Sequence, residues 1–204
     1  MLLSVNADNP QQRHIDKLVR LLEDGGVIIY PTDTVYGIGC DITNKNAVER
    51  VARIRGIDPA KAMFSFICQD ISQVTEYSRT INNDVFRVMK HNLPGPFTFI
   101  LRSNNRTPKI LKNRKETIGV RIIDNNIVAA LVHGLGRPIL TASVKNPDDS
   151  VTEYYTDPRD IYDRYGKLVD AVVDGGPGGN QASTIIDCTG DEAVLQREGA
   201  GVLM

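Results

Sequence analysis

Gly26-Val27-Ile28-Ile29-Tyr30-Pro31-Thr32-Asp33-Thr34-Val35-Tyr36-Gly37 decides the fold of this chain. Residues 27–30 form an unbroken apolar run, the pattern of a short strand buried on both faces, and Pro31 stops it because proline has no amide proton to give a sheet. Before the run, Ile15, Leu18, Val19 and Leu22 recur at helical spacing within residues 11–24, a segment opened by Asp8, Asn9 and Pro10 and closed by Gly25 and Gly26. After it, the apolar stretch 35–40 leads into residues 44–55, where Val48, Val51 and Ala52 repeat the helical pattern. Helix, strand, strand and helix around one polar turn are the opening of a layered α/β architecture.

The alternation continues. Strands are predicted at 64–68, 97–101, 117–121, 139–143, 171–174, 183–188 and 193–197, and helices at 82–92 and 125–133. The last strands follow one another without helices between them, so a twisted mixed sheet is expected rather than a purely parallel one. Residues 146–163 carry Asp148, Asp149, Glu153, Asp157, Asp160 and Asp163, and read as an exposed loop with a short helix.

At 204 residues, 41% apolar and 24% charged, the chain can bury one substantial core, and a single domain spanning 1–204 is expected. Its apolar runs fall far short of a membrane span, and the N-terminus lacks a cationic segment followed by a long apolar one, which argues against secretion or membrane insertion. Cys40, Cys68 and Cys188 are odd in number and widely separated, as free thiols of a reducing cytoplasm would be. A net charge of −1 gives the whole molecule no attraction for nucleic acid, so any such binding requires a local patch.

Chemistry could lie in three places. The turn Pro31 to Gly37 gathers two hydroxyls, a carboxylate and a phenol where a buried strand ends; the same residues would equally make a well-capped turn. Asp174-Gly175-Gly176-Pro177-Gly178-Gly179-Asn180 could present amides to an anion, but it lacks the lysine-serine pair of a P-loop and reads more simply as a turn between strands. Arg102, Arg106, Lys109, Lys112, Arg114 and Lys115 form a basic run without interleaved aromatics, the pattern of a solvated face more than of a nucleic-acid platform. His14, His91 and His133 have no partner at metal-ligand spacing, and no nucleophile elbow or paired-carboxylate motif occurs. Anion binding and positioning remain.

Taken together, these segments resemble the YrdC-like family, which includes the threonylcarbamoyl-adenylate synthases, over about residues 26–199. The opening stretch from Gly26 to Gly37, Pro94-Gly95-Pro96-Phe97-Thr98-Phe99, Thr117-Ile118-Gly119-Val120-Arg121, Asp174-Gly175-Gly176 and Ser183-Thr184-Ile185-Ile186-Asp187 match family motifs in order. The resemblance implies a single-domain YrdC-like fold with a concave ligand-binding face, where ATP and L-threonine bind and bicarbonate becomes the carbamate carbon. By motif position, Thr32, Tyr36, Arg121 and Ser183 would hold the amino acid, Arg121 through its carboxylate. Arg55, Ser143 and Arg197 would face the nucleotide phosphates, and magnesium would be held by the triphosphate and water.

Departures from the family pattern are also legible. Asp33 stands where synthases usually carry glutamate. Where they show Lys-x-Arg this chain has Arg55-Gly56-Ile57, and where they show Ser-x-Asn it has Ser143-Val144-Lys145, which resembles the YciO-like branch. One phosphate-site cation is thereby lost, and Lys145 is the candidate replacement. The expectation is a synthase-type nucleotidyltransferase, weakened or altered by these changes, with a tRNA- or double-stranded-RNA-binding or ribosome-associated module without synthase chemistry as the alternative. It requires Arg55, Arg121 and Arg197 to converge on one hollow, and Arg121→Ala to abolish amino-acid binding without harming the fold.

Overall fold

A computed structural model describes residues 1–58, 64–111, 115–146 and 154–204. The opening segment folds as expected: α1 (Gln12–Glu23) buries Ile15, Leu18, Val19 and Leu22, then β2 (Ile28–Tyr30) turns through residues 31–36 into β3 (Gly37–Asp41) and α2 (Lys45–Ile54). A short strand that the sequence did not reveal, β1 (Leu2–Ser4), precedes them. Next come β4 (Ser65–Ile67), α3 (Ile71–Tyr77), α4 (Asn83–Asn92) and β5 (Phe97–Arg102). The chain ends with β6 (Thr117–Arg121), α5 (Asn126–Leu135), β7 (Ile139–Ser143), α6 (Pro158–Tyr165), β8 (Ala171–Asp174), β9 (Thr184–Asp187) and β10 (Val194–Arg197).

Side-chain caps fix where several helices begin. Asn44, Asp70, Asn82, Asn125 and Asp157 each accept backbone N–H groups of the first turn, which would otherwise lack partners. Gly136, at φ 67°, closes α5 in the left-handed conformation that glycine adopts without steric cost.

One ten-stranded sheet, ordered β1-β8-β2-β3-β7-β4-β6-β5-β9-β10, contains every strand among the described residues. It is mixed as expected: β8 lies parallel to β1 and β2, β6 to β4 and β9 to β5, while the remaining neighbours are antiparallel. On one face Phe66, Phe99, Val120, Leu140 and Ile186 pack with Val48 and Val51 of α2 and Met89 of α4. The opposite face is divided. α1 and α5 cover Ile28, Tyr30, Ile67, Ile139, Ala171 and Val173. Beyond their reach the same face changes character, because alternate residues of a strand share a face. Ile139 lies under the helices, whereas Thr141 and Ser143 line an open hollow; Ile67 is covered and Ser65 is not.

The acidic segment contains a short helix, as expected, although α6 runs two residues past Asp163, and Asp148, Asp149 and Glu153 lie outside the described residues. No helix among the described residues is long and apolar enough to cross a membrane.

Candidate anion-binding site

The uncovered half of that face forms a hollow of about 220 Å³. Its floor is small and hydroxylated, with Ser65, Thr98, Thr141, Ser143 and Ser183 supplied by neighbouring strands and their ends. Four cations line it and no carboxylate does, among the described residues: Arg55 from the end of α2, Arg121 from the end of β6, Lys145 just beyond β7 and Arg197 from the end of β10. The convergence of Arg55, Arg121 and Arg197 expected from the sequence is therefore present. In a chain whose net charge is −1, this is a local concentration of positive charge.

A second chamber of about 520 Å³ opens from the hollow, sharing Phe64, Ser65, Thr98, Ile185 and Arg197 with it and adding Ile100, Thr117, Gly119 and Gln196. A groove of about 750 Å³ along α1 is larger, but its charges are mixed: Arg13, Lys17 and Arg20 alternate with Asp16 and Asp24, and Arg50 pairs with Asp170 at 2.6 Å. It concentrates no field of one sign.

Arg121 is the most buried of the four cations. Its Nη2 donates to Asp33 Oδ1 at 2.5 Å and to Thr34 Oγ1 at 3.1 Å, while its Nε is buried without a partner. Burial holds its guanidinium below the ordinary arginine range; Asp33 opposes that shift, and the charge of Arg197 adds to it. Burial likewise raises the Asp33 carboxyl, against the pull of Arg121. Arg55 is also drawn down by burial, with Tyr165 and Tyr154 opposing, and its Nε too lacks a partner. Buried donors of this kind are rare, because each has given up water without gaining an acceptor. Here two of them belong to side chains that line one cavity, which suits it to an anion.

Of the residues assigned by resemblance, Arg55, Arg121, Ser143, Lys145, Ser183 and Arg197 all line the hollow, and Thr32 and Tyr36 do not. Thr32 Oγ1 donates to the Val35 carbonyl at 2.6 Å and accepts the Thr34 N–H at 3.0 Å. Tyr36 is fully buried, and its hydroxyl donates to the Gly176 carbonyl at 2.7 Å. Both fasten the turn that carries Asp33 and Thr34. The glycine-rich stretch is the other half of that fastening: Gly179 N–H bonds to Thr34 O, and a Cβ at Gly178 would lie 2.6 Å from the Tyr36 ring.

Thr98 was not among the expected site residues, and Asp33 was singled out only as part of the polar turn, with no role assigned. Thr98 signals itself in Phe97-Thr98-Phe99, a single hydroxyl between two core aromatics, and Thr117-x-Gly119-x-Arg121 carries the same two-residue period. The basic run points elsewhere: Arg102 donates to the Thr189 carbonyl and Arg106 pairs with Glu76 at 3.4 Å, while Lys112 and Arg114 lie outside the described residues. The described histidines, cysteines and acids form no cluster able to hold a metal.

The polar hollow thus occupies one half of a sheet face whose other half is sealed by two helices. The Sua5_yciO_yrdC family model, described as "Telomere recombination", matches residues 20–199, and the chain belongs to this family. Within it, the uncharacterized protein YciO of Escherichia coli is 43% identical over 198 residues, covering 97% of this chain and 94% of that protein. The crystal structure of E. coli YciO superposes with a TM-score of 0.92 at 41% identity, over 99% of this chain and 97% of that one. A threonylcarbamoyl-AMP synthase of Halorhodospira halophila is 29% identical over 180 residues, covering 86% of this chain and 90% of the synthase. P. abyssi Sua5, in a crystal complex with L-threonine, shares the fold with a TM-score of 0.86 at 23% identity, over 98% of this chain and 57% of that one.

Proposed function

We propose that the hollow binds ATP and L-threonine and forms threonylcarbamoyl adenylate, with pyrophosphate and water as the other products. The observation that carries this reading is the grouping of Arg55, Arg121, Lys145 and Arg197 around one cavity that no described carboxylate lines. A synthase relative at 29% identity over most of the chain, and a Sua5 relative crystallised with L-threonine, support the choice of substrates.

In this reading Arg121 receives the amino-acid carboxylate, beside the Ser183 hydroxyl. The amine attacks the carbon of bicarbonate and water leaves; the resulting carbamate oxygen attacks the α-phosphorus of ATP and pyrophosphate departs. Such a transfer asks the protein mainly to align a weak nucleophile and to neutralise charge that spreads onto the leaving group. Arg55, Lys145 and Arg197 supply that neutralisation, with Ser143 donating to the phosphates. The adjoining chamber takes the nucleoside, its apolar walls Phe64, Ile100 and Ile185 facing the base and Thr117 and Gln196 offering polar atoms.

Magnesium accompanies the triphosphate. The described lining offers hydroxyls and cations, so phosphate oxygens and water would be its ligands, and the ion would add further charge neutralisation. The reducing cytoplasm suits three free, buried cysteines. The product is an activated threonylcarbamoyl group for transfer to tRNA.

Incubation with ATP, magnesium, labelled bicarbonate and L-threonine is expected to yield a labelled adenylate together with pyrophosphate. No label in nucleotide at high enzyme concentration, with ATP and threonine shown calorimetrically not to bind, would sink this reading.

A further inference from the structure

Asp33 sits in the polar turn yet has no part in the reaction just described. Its side chain is only 8% exposed. Oδ1 accepts from Arg121 Nη2 at 2.5 Å and Oδ2 accepts the Asp124 backbone N–H at 3.2 Å, so one carboxylate joins the turn, the end of β6 and the approach to α5. Thr34 Oγ1 takes a second hydrogen bond from the same Nη2 at 3.1 Å. Nη2 carries two protons, and both are committed to this side. Nε is buried and unpartnered, and Nη1 makes no hydrogen bond among the described residues.

The consequence is an arginine held by one corner. A free arginine side chain loses much rotamer freedom when it binds a ligand; one already gripped by an ion pair and a hydroxyl has lost it beforehand. The grip comes from inside the protein, whereas the unpartnered donors belong to a residue lining the hollow. The turn that delivers the grip is fastened in turn by Thr32 and Tyr36, neither of which lines the hollow.

We propose that Asp33 is a positioning residue that orients the Arg121 guanidinium through Nη2, so that the guanidinium is already ordered at the hollow before an anionic group arrives. The ligand group concerned is the carboxylate of an amino acid, and in this respect the inference rests on the function proposed above. Asp33 acts through Arg121 and does not itself touch substrate.

The test uses the full chain carrying Asp33→Asn, which keeps the shape and removes the ionic grip, and Asp33→Glu, which restores the charge. Calorimetric titration with L-threonine is expected to show about tenfold or greater weakening in D33N and recovery to within about threefold in D33E, while ATP affinity stays within about twofold of wild type in both. In the unliganded protein, side-chain nitrogen NMR is expected to show ordered Arg121 guanidinium resonances that broaden in D33N.

Equal threonine affinity in D33N and wild type, or parallel loss of threonine and ATP, overturns the proposal; so does failure of D33E to recover. Wild type that binds no L-threonine removes the reading of Arg121 as a carboxylate receptor, and the resonances then decide alone: unchanged Arg121 signals in D33N overturn positioning. Thr34→Val guards against a D33N that does not fold, since it removes one acceptor and keeps the ion pair. It is expected to weaken L-threonine about twofold to fourfold with ATP unchanged, and no change counts against the proposal.

Discussion

Thr98 Oγ1 and Ser183 Oγ meet at 2.8 Å where β5 passes the start of β9, and both residues line the hollow. One of the two buried hydroxyls donates to the other, which makes the floor polar and leaves the accepting hydroxyl's own proton free for a ligand. The pair links the neighbouring strands β5 and β9 at the point where an amino-acid ligand is expected to rest.

Ser183→Ala strips Thr98 of this partner. The expected cost is about 1–2 kcal/mol in urea unfolding, since a buried hydroxyl loses its hydrogen bond and cannot recover water. Thr98→Val in the Ser183→Ala background should cost less than the two single changes added together, because no hydroxyl is then left unpaired. Strict additivity would show that the pair contributes nothing as a unit.

Arg121→Ala now carries a structural consequence that the sequence did not reveal. Arg121 and Asp33 are 7% and 8% exposed, and removing the arginine leaves the carboxylate buried without its countercharge. A loss of about 3–5 kcal/mol near pH 7 is expected, with Asp33→Asn/Arg121→Met costing much less than the sum of its parts. The sign of the pH effect follows from burial, which already raises the Asp33 carboxyl and does so further without Arg121. A raised carboxyl favours the folded state when protonated, so the Arg121→Ala deficit should shrink as pH falls from neutral and grow as it rises. Unfolding curves at several pH values check this; a pH-independent deficit would exclude Asp33 as its cause.

What was legible in the sequence was whatever carried its own period. α1 and α2 announce themselves by apolar spacing, and the mixed sheet follows from strands that succeed one another without helices. β1 is three residues long, and its partner β8 lies some 170 positions away, so no local pattern exists to find it. α3 buries only Val74, which hides its period, but Asp70 capping Gln73 N–H was a readable start signal. At the site, cations placed by motif did converge, because strand ends and a helix end are fixed by the topology. Thr32 and Tyr36 share a motif with Asp33, yet their polar atoms bond within the protein, and motif proximity alone does not tell a ligand contact from a fastening.

Arg55 and Lys145 enter the hollow from the end of α2 and from beyond β7, and neither forms an ion pair among the described residues. Ile57 lines the same cavity. Each of Arg55→Ala and Lys145→Ala is expected to weaken ATP and inorganic tripolyphosphate about tenfold, or about 1.4 kcal/mol, with a shallower salt dependence of binding. Ile57→Arg adds a cation and should strengthen both ligands. Titrations at low and physiological salt are the check; tripolyphosphate binding unaffected by either alanine variant would mean that these charges face solvent rather than phosphate.

Gly119 offers a way to separate folding from binding. It lies on β6 between Thr117 and Arg121, on the face that forms the floor of the second chamber, and its backbone does not need a positive φ. An added Cβ would stand 2.6 Å from Ser65 Oγ and 3.2 Å from Thr98 Cγ2. Ser65 can rotate its hydroxyl away, so Gly119→Ala should fold with a stability change of about 1 kcal/mol or less. The methyl group nevertheless rises between the residues that receive the amino acid and those that receive the nucleoside. Loss of ATP affinity by about tenfold or more is therefore expected in a protein whose unfolding midpoint is nearly unchanged. Wild-type ATP affinity in a folded Gly119→Ala protein would show that the nucleotide does not lie along this floor, and the second chamber would lose its assignment to the nucleoside.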